Sequence, residues 1–193
     1  ALRGKPDFPL DDPSLAAFQT GIKPDNFDSW LEILPESYCK KATQAQENKL
    51  RWTREFSGSQ LQELISKRYP HLGRITDIHV LKRGISGRAM SLRLTGTKAS
   101  TVVLYELPIR RLFNNLRSAA FILNLDRVAG VITKATFKGS GWGHGVGMCQ
   151  LGAIGRAEAH QSYKTILAHY YDGAKLRRLY PPKIPPSRSN KKT

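Results

Sequence analysis

Residues 75–96, ITDIHVLKRGISGRAMSLRLTG, decide the fold class. In the first run, Ile75, Ile78 and Val80 are the core candidates. In the second, Met90, Leu92 and Leu94 alternate with Ser91 and Arg93, the period of two that puts successive side chains on opposite faces of a strand. Gly84 and Gly87 bracket a turn between the runs, so the stretch is expected to fold as a β-hairpin with one face on a core.

Working outward from this hairpin, the upstream run LRWTREF (50–56) has strand-like alternation anchored by Leu50, Trp52 and Phe56. Ser57 to Ser59 then offers caps for a helix whose Leu61, Leu64 and Ile65 share one face, and Gly73 closes the unit. Downstream, STVVLYEL (100–107), SAAFILNL (118–125) and VITKATFKG (131–139) read as strands. Leu107–Phe113 reads as a short helix with Pro108 in its first turn. Two helices are expected at the end, Met148–His160 and Ser162–Tyr171. In the second, Ser162 caps, Tyr163, Ile166, Leu167 and Tyr170 form the buried stripe, and Gly173 terminates. Strands and helices interleaved in this way, with hairpin-like strand pairs, predict a mixed α+β fold in one domain. Residues 1–37, punctuated by Pro6, Pro9, Pro13, Pro24 and Pro35, are expected to be an extended Pro-rich arm. Residues 38–176 form the body, and 177–193 a disordered basic Pro-rich tail.

The 193 residues suffice for one core, and no apolar run approaches the roughly 20 residues of a membrane span. The opening ALRGKPDFPLDD has no apolar centre and is not a signal peptide. Thirty-one Lys and Arg against 15 Asp and Glu give a formal charge of +16, which favours polyanions or anionic surfaces without choosing among them. Seven of those cations lie in residues 174–193, which contain no acid. A nucleic-acid-binding basic protein is a second alternative prompted by this charge; against it, aromatics are not interleaved with Lys and Arg in any nucleic-acid-reading motif. Cys39 and Cys149 make no CxxC pair, leaving one bridge or two free thiols open.

The stretch KGSGWGHGVGMCQLGA (138–153) carries glycine at 139, 141, 143, 145 and 147. If extended, it presents one face without side chains and another with Trp142, His144 and Val146. No GKS or GKT follows, so a phosphate loop is excluded. Trp142 is either core or part of a binding surface. His144 is either a buried structural histidine or a ligand-binding group. Met148 and Leu151 are expected to pack, and Gln150 opens a helix as the next polar candidate.

GWGHGVGMCQLGA resembles the signature of the stage II sporulation protein D family, also called the SpoIID/LytB or amidase-enhancer domain, in which GxGxGHGVGMSQxGA is typical. SYKTILAHYYDGAKL, LRWTREFS, ITDIHVLKRGISGRAMSLRLTG and LRSAAFIL are similar to other parts of that domain in order and spacing, from about Trp30 to Leu176. The resemblance implies peptidoglycan as ligand, lytic transglycosylase activity on its glycan strands and an extracytoplasmic location. It also implies a non-catalytic alternative, a wall-binding module that positions a cell-wall amidase.

The family's catalytic glutamate belongs to an EMP-containing helix followed by a KAQAVAARTY-like stretch, and neither occurs here. No catalytic residue is therefore identifiable in the chain, which looks like the C-terminal part of such a domain, to be completed by an N-terminal segment or a second chain. Glu106 in Glu106-Leu107-Pro108 sits in the wrong place for that role and reads as structural. The substrate-binding candidates are Trp142, Gly143, His144, Gly145 and Gln150. Cys149 stands where the family has serine and is expected to be a small packed thiol, since a nucleophilic pair with His144 lacks an acid or asparagine partner. Some relatives carry zinc, which makes Cys39, His144 and Cys149 conceivable ligands. Their spacing matches no metal motif, and no cofactor is expected.

Overall fold

The computed structural model describes residues 7, 13–18, 21–23, 25–177 and 179–180. Its elements are α1 (Phe27–Glu32), α2 (Tyr38–Lys41), α3 (Glu47–Leu50), β1 (Arg51–Ser57), α4 (Gly58–Ser66), β2 (Ile75–Arg83), β3 (Ala89–Gly96), β4 (Ser100–Leu104), α5 (Glu106–Leu112), β5 (Phe121–Val128), β6 (Val131–Ser140), α6 (Gln150–Glu158) and α7 (Tyr163–Tyr170). Short 3-10 turns occupy Pro13–Phe18 and Pro70–Leu72. The fold is α+β, as its sequence pattern implies.

The hairpin forms. β2 and β3 pair antiparallel with Ile78 opposite Leu94 and Val80 opposite Leu92, and β4 joins the far edge of β3. A second antiparallel sheet has the order β1-β6-β5, with β6 central. The inward faces of both sheets feed one core. Leu92, Leu94 and Val103 come from the first, and Trp52, Phe56, Phe121 and Phe137 from the second. Leu61 and Ile65 of α4 and Ile109 and Leu112 of α5 close it. Phe137 is the node, its ring centroid 4.7 Å from Phe113, 5.1 Å from Phe121 and 5.8 Å from Phe56.

Local chemistry sets the boundaries. Ser57 accepts from the Gln60 amide while the Gln60 side chain accepts from the Ser57 amide, a reciprocal cap that starts α4. α6 starts at Gln150 rather than Met148, because Cys149 is its extended N-cap. Met148 is consequently 42% exposed instead of packed. Burial of α7 is confined to Ile166 and Tyr170, one turn apart; Tyr163 opens the helix and is 67% exposed, so the buried stripe is shorter than its spacing suggests. Ser91 is buried on β3 although it alternates with the apolar positions.

The N-terminal segment packs against the body. Leu15, Phe18 and Phe27 are buried, and Phe18 meets Trp30 edge-on at 5.2 Å. Arg83 stacks over Phe27 at 4.2 Å, and the Arg51 guanidinium donates to the carbonyls of Trp30, Leu31 and Ile33. Residues 181–193, most of the expected tail, lie outside the described residues. Among the described residues no helix is long and apolar enough to cross a membrane.

Gly139 lies opposite Trp52 in the β1–β6 register, and a Cβ there would stand 2.2 Å from the indole. Gly139→Ala is expected to cost about 1–3 kcal/mol through overpacking, and Phe137→Ala about 3–5 kcal/mol through the cavity it leaves. Denaturant titration followed by tryptophan fluorescence measures both.

Candidate functional site

β6 delivers the glycine stretch to the end of its sheet and the surrounding residues clamp it there. Ser118 donates to the Ser140 carbonyl at 2.7 Å, Arg51 donates to Ser140 Oγ at 3.0 Å, and the Trp52 indole donates to the Gly141 carbonyl at 2.9 Å. The amides of Gly141 and Gly143 bond the carbonyls of Leu50 and Arg117. Beyond Ser140 the chain is not extended. Gly141, Gly143, Gly145 and Gly147 all have positive φ, from 69° to 99°. Alternating left-handed residues coil the segment into a loop, so the side-chain-free strand face expected from the sequence does not form. Only glycine enters this region of backbone space at little cost, which accounts for its recurrence at every second position.

The loop projects its side chains outward. Trp142 is 62% exposed, with the Arg117 guanidinium 5.3 Å over its ring, and is therefore not core. His144 is exposed rather than buried, and its Nδ1 accepts from the Val146 amide at 3.0 Å. That bond requires Nδ1 to be unprotonated and fixes the proton of neutral His144 on Nε2. Gln150 is exposed at the first residue of α6. Gly143 and Gly145 are the spacers between these groups. Gly145 also covers Arg88: a Cβ there would lie 2.1 Å from Arg88 Cζ. Arg88 Nε is buried without a hydrogen-bond partner, and burial pulls the guanidinium pKa below its ordinary value. Glu106 is engaged with Arg110 at 2.9 Å with 14% of its side chain exposed, a structural ion pair within α5.

Where the loop enters α6, a second cluster forms that sequence spacing did not disclose. Cys149 Sγ accepts from the Gly152 amide at 3.3 Å and lies 3.3 Å from Cys39 Sγ on α2. Cys39 Sγ also lies 3.5 Å from Asp7 Oδ2, so its one proton is shared between that oxygen and Cys149 Sγ. Asp7 is held by Arg156 Nε at 3.0 Å and by the Tyr170 hydroxyl at 2.8 and 2.7 Å, while its carbonyl accepts from the Tyr38 amide. Arg156 also stacks on Tyr38 at 4.3 Å and bonds Gln161. Its Nη2 lies 3.0 Å from His169 Nε2. A guanidinium can only donate, so this His169 nitrogen accepts, and its 3.4 Å approach to Asp7 is not an ion pair.

The environment separates the two thiols. The hydrogen bond from Cys39, with those from the Gly152 and Leu151 amides, lowers the Cys149 thiol to about 7. Cys39 is pushed up by the same bond and by burial. Burial and Asp7 raise the Tyr170 hydroxyl. The ligand atoms of Asp7, Cys39 and Cys149 all lie within 4.8 Å of one another, so Asp7 occupies the third position for which the sequence offered His144. Asp7, Arg156 and Tyr170 carry no motif; the glycine pattern pointed to the loop, and nothing pointed to the arm.

Two similarities connect the chain to known proteins. It is 38% identical over 77 residues to the amidase enhancer of Bacillus subtilis, covering 40% of this chain and 11% of that protein. It is 28% identical over 126 residues to an uncharacterized protein of Brachyspira hyodysenteriae, covering 65% of this chain and 32% of that one. The chain thus spans about a tenth and about a third of the length of these relatives. Residues 23–147, from within the arm through the last glycine of the loop, match the family model described as a domain of unknown function, DUF8618, and the chain belongs to that family.

Proposed function

We propose that this chain recognises bacterial cell-wall glycan through the loop that follows β6. The observation that carries the reading is Trp142: a large aromatic, 62% exposed on a clamped loop, with Arg117 behind its ring. An exposed ring of this kind offers an apolar face against which the C–H face of a sugar can pack. His144 Nε2 and the Gln150 amide supply donors for hydroxyl or N-acetyl groups. The similarity to a protein named an amidase enhancer supports a cell-wall setting and an extracytoplasmic location. The +16 charge suits a polymer bearing carboxylates.

Two modes of action follow from this binding role. In the first, the chain is one wall of a lytic transglycosylase. One carboxyl group protonates the glycosidic oxygen and later removes the proton of the sugar 6-hydroxyl, and its pKa must be raised by partial burial. Glu106 is tied to Arg110, so that acid comes from a companion segment or chain, with Trp142 and His144 holding the strand in register. In the second, the chain binds glycan without cutting it and positions a cell-wall amidase.

Trp142→Ala is expected to weaken retention on purified sacculi about 2- to 10-fold without changing thermal stability. His144→Ala combined with Gln150→Ala is expected to weaken it further; retention that survives both changes removes the loop as the binding surface. Incubation of denuded glycan strands with the chain and a segment bearing the catalytic acid distinguishes the two modes. Anhydro-muramyl products support the first; binding without products, together with stimulation of an amidase, supports the second.

A further inference from the structure

Cys39 and Cys149 are 110 residues apart in sequence and come from α2 and the N-cap of α6, yet their sulfurs lie 3.3 Å from each other. The two thiols are differently placed. Cys149 is exposed at the start of a nine-residue helix, with its sulfur on the Gly152 amide. Cys39 is half-buried, its one proton shared between Asp7 Oδ2 and Cys149 Sγ. A thiol at a helix N-terminus, its sulfur on a backbone amide and a second thiol 3.3 Å away, is an arrangement suited to thiol–disulfide exchange.

We propose that Cys149 and Cys39 form a redox-active dithiol that closes to a disulfide by exchange with an oxidant bearing a disulfide. The Cys149 thiolate attacks one sulfur of that disulfide, whose S–S bond breaks and releases the first oxidant thiolate. Cys39 then attacks Cys149 Sγ and expels the second thiolate, which takes up the Cys39 proton as it leaves. Two electrons move from the two cysteines to the oxidant, which leaves as a dithiol carrying the two protons released. The cross-link ties α2 to the junction of the glycine loop and α6. The lowered pKa of Cys149 and the raised pKa of Cys39 agree with these roles of attacking and resolving thiol.

A zinc centre on Asp7, Cys39 and Cys149 fits the geometry less well. Among the described residues the cluster supplies three ligand atoms, one short of the four that a structural zinc site takes. Both Asp7 oxygens already accept from Tyr170, and Oδ1 also takes Arg156.

The test equilibrates the full chain in glutathione buffers from fully reduced to fully oxidised, then labels free thiols with a maleimide and maps the bonds by peptide mass spectrometry. Both thiols are expected to disappear together along a two-electron curve, giving a Cys39–Cys149 peptide pair and a higher melting temperature for the oxidised protein. Cys39→Ser is expected to trap glutathione on Cys149, whereas Cys149→Ser reacts at Cys39 at least about tenfold more slowly. The wild-type mapping stands independently of how either variant folds. Two thiols still free in fully oxidised glutathione overturn the proposal, as do equal trapping rates at the two positions. Thiols that label only after a chelator removes one equivalent of zinc also overturn it, in favour of a metal centre. None of these outcomes depends on glycan binding, so this proposal and the proposed function succeed or fail separately.

Discussion

The packing of Phe137 against Phe56, Phe113 and Phe121 is the constraint on which the rest depends. It fixes β6 between β1 and β5 and draws in the turn after α5, so the central strand is braced from three directions. Whatever leaves the end of β6 inherits that rigidity. The glycine loop begins only a few residues beyond Phe137, and its first carbonyls are taken by Ser118 and Trp52, both held by the same core. A coil of left-handed residues, entropically the least committed kind of backbone, thereby acquires a defined starting point.

Arginine does much of the internal joining, which changes the meaning of the net charge. Arg51 gathers the carbonyls that end α1, and Arg83 bonds those of Gly87 and Phe121. Arg110 bonds Leu116, and Arg156 is buried against Asp7 and Tyr38. A planar guanidinium with five donors suits this task, because it reaches several orphaned loop carbonyls at once. Burial lowers the pKa of Arg51 and Arg83 to about 10, which still leaves both charged near neutrality. A share of the +16 is therefore structural cement, and the field offered to an anionic polymer is smaller than the composition suggests.

The hairpin of β2 and β3, the start of α4 and the short α5 were legible because each rests on local rules: alternation, serines placed to cap, a proline in a first turn. The conformation of the glycine loop was not. Alternating glycines satisfy a flat strand and a left-handed coil equally well in sequence, and the choice falls to contacts from Trp52, Arg117 and Arg88 that are distant in the chain. Trp142 illustrates the same limit, since a lone tryptophan fits a core as readily as a surface and only the exit direction of the loop puts it outside. The thiol cluster was least legible. Its members come from the arm, α2, α6 and α7, and Asp7 sits among prolines with nothing to mark it.

The loop glycines carry a consequence for comparing relatives. At 141, 143 and 147 the demand comes from a positive φ, and at 145 also from the guanidinium beneath. These positions resist substitution whether or not the loop ever touches a ligand. Constancy there reports a backbone demand, while Trp142, His144 and Gln150 are free of that demand and vary unless a ligand forbids it. A lineage that kept the glycines and lost those three side chains would preserve the scaffold after its occupant had gone.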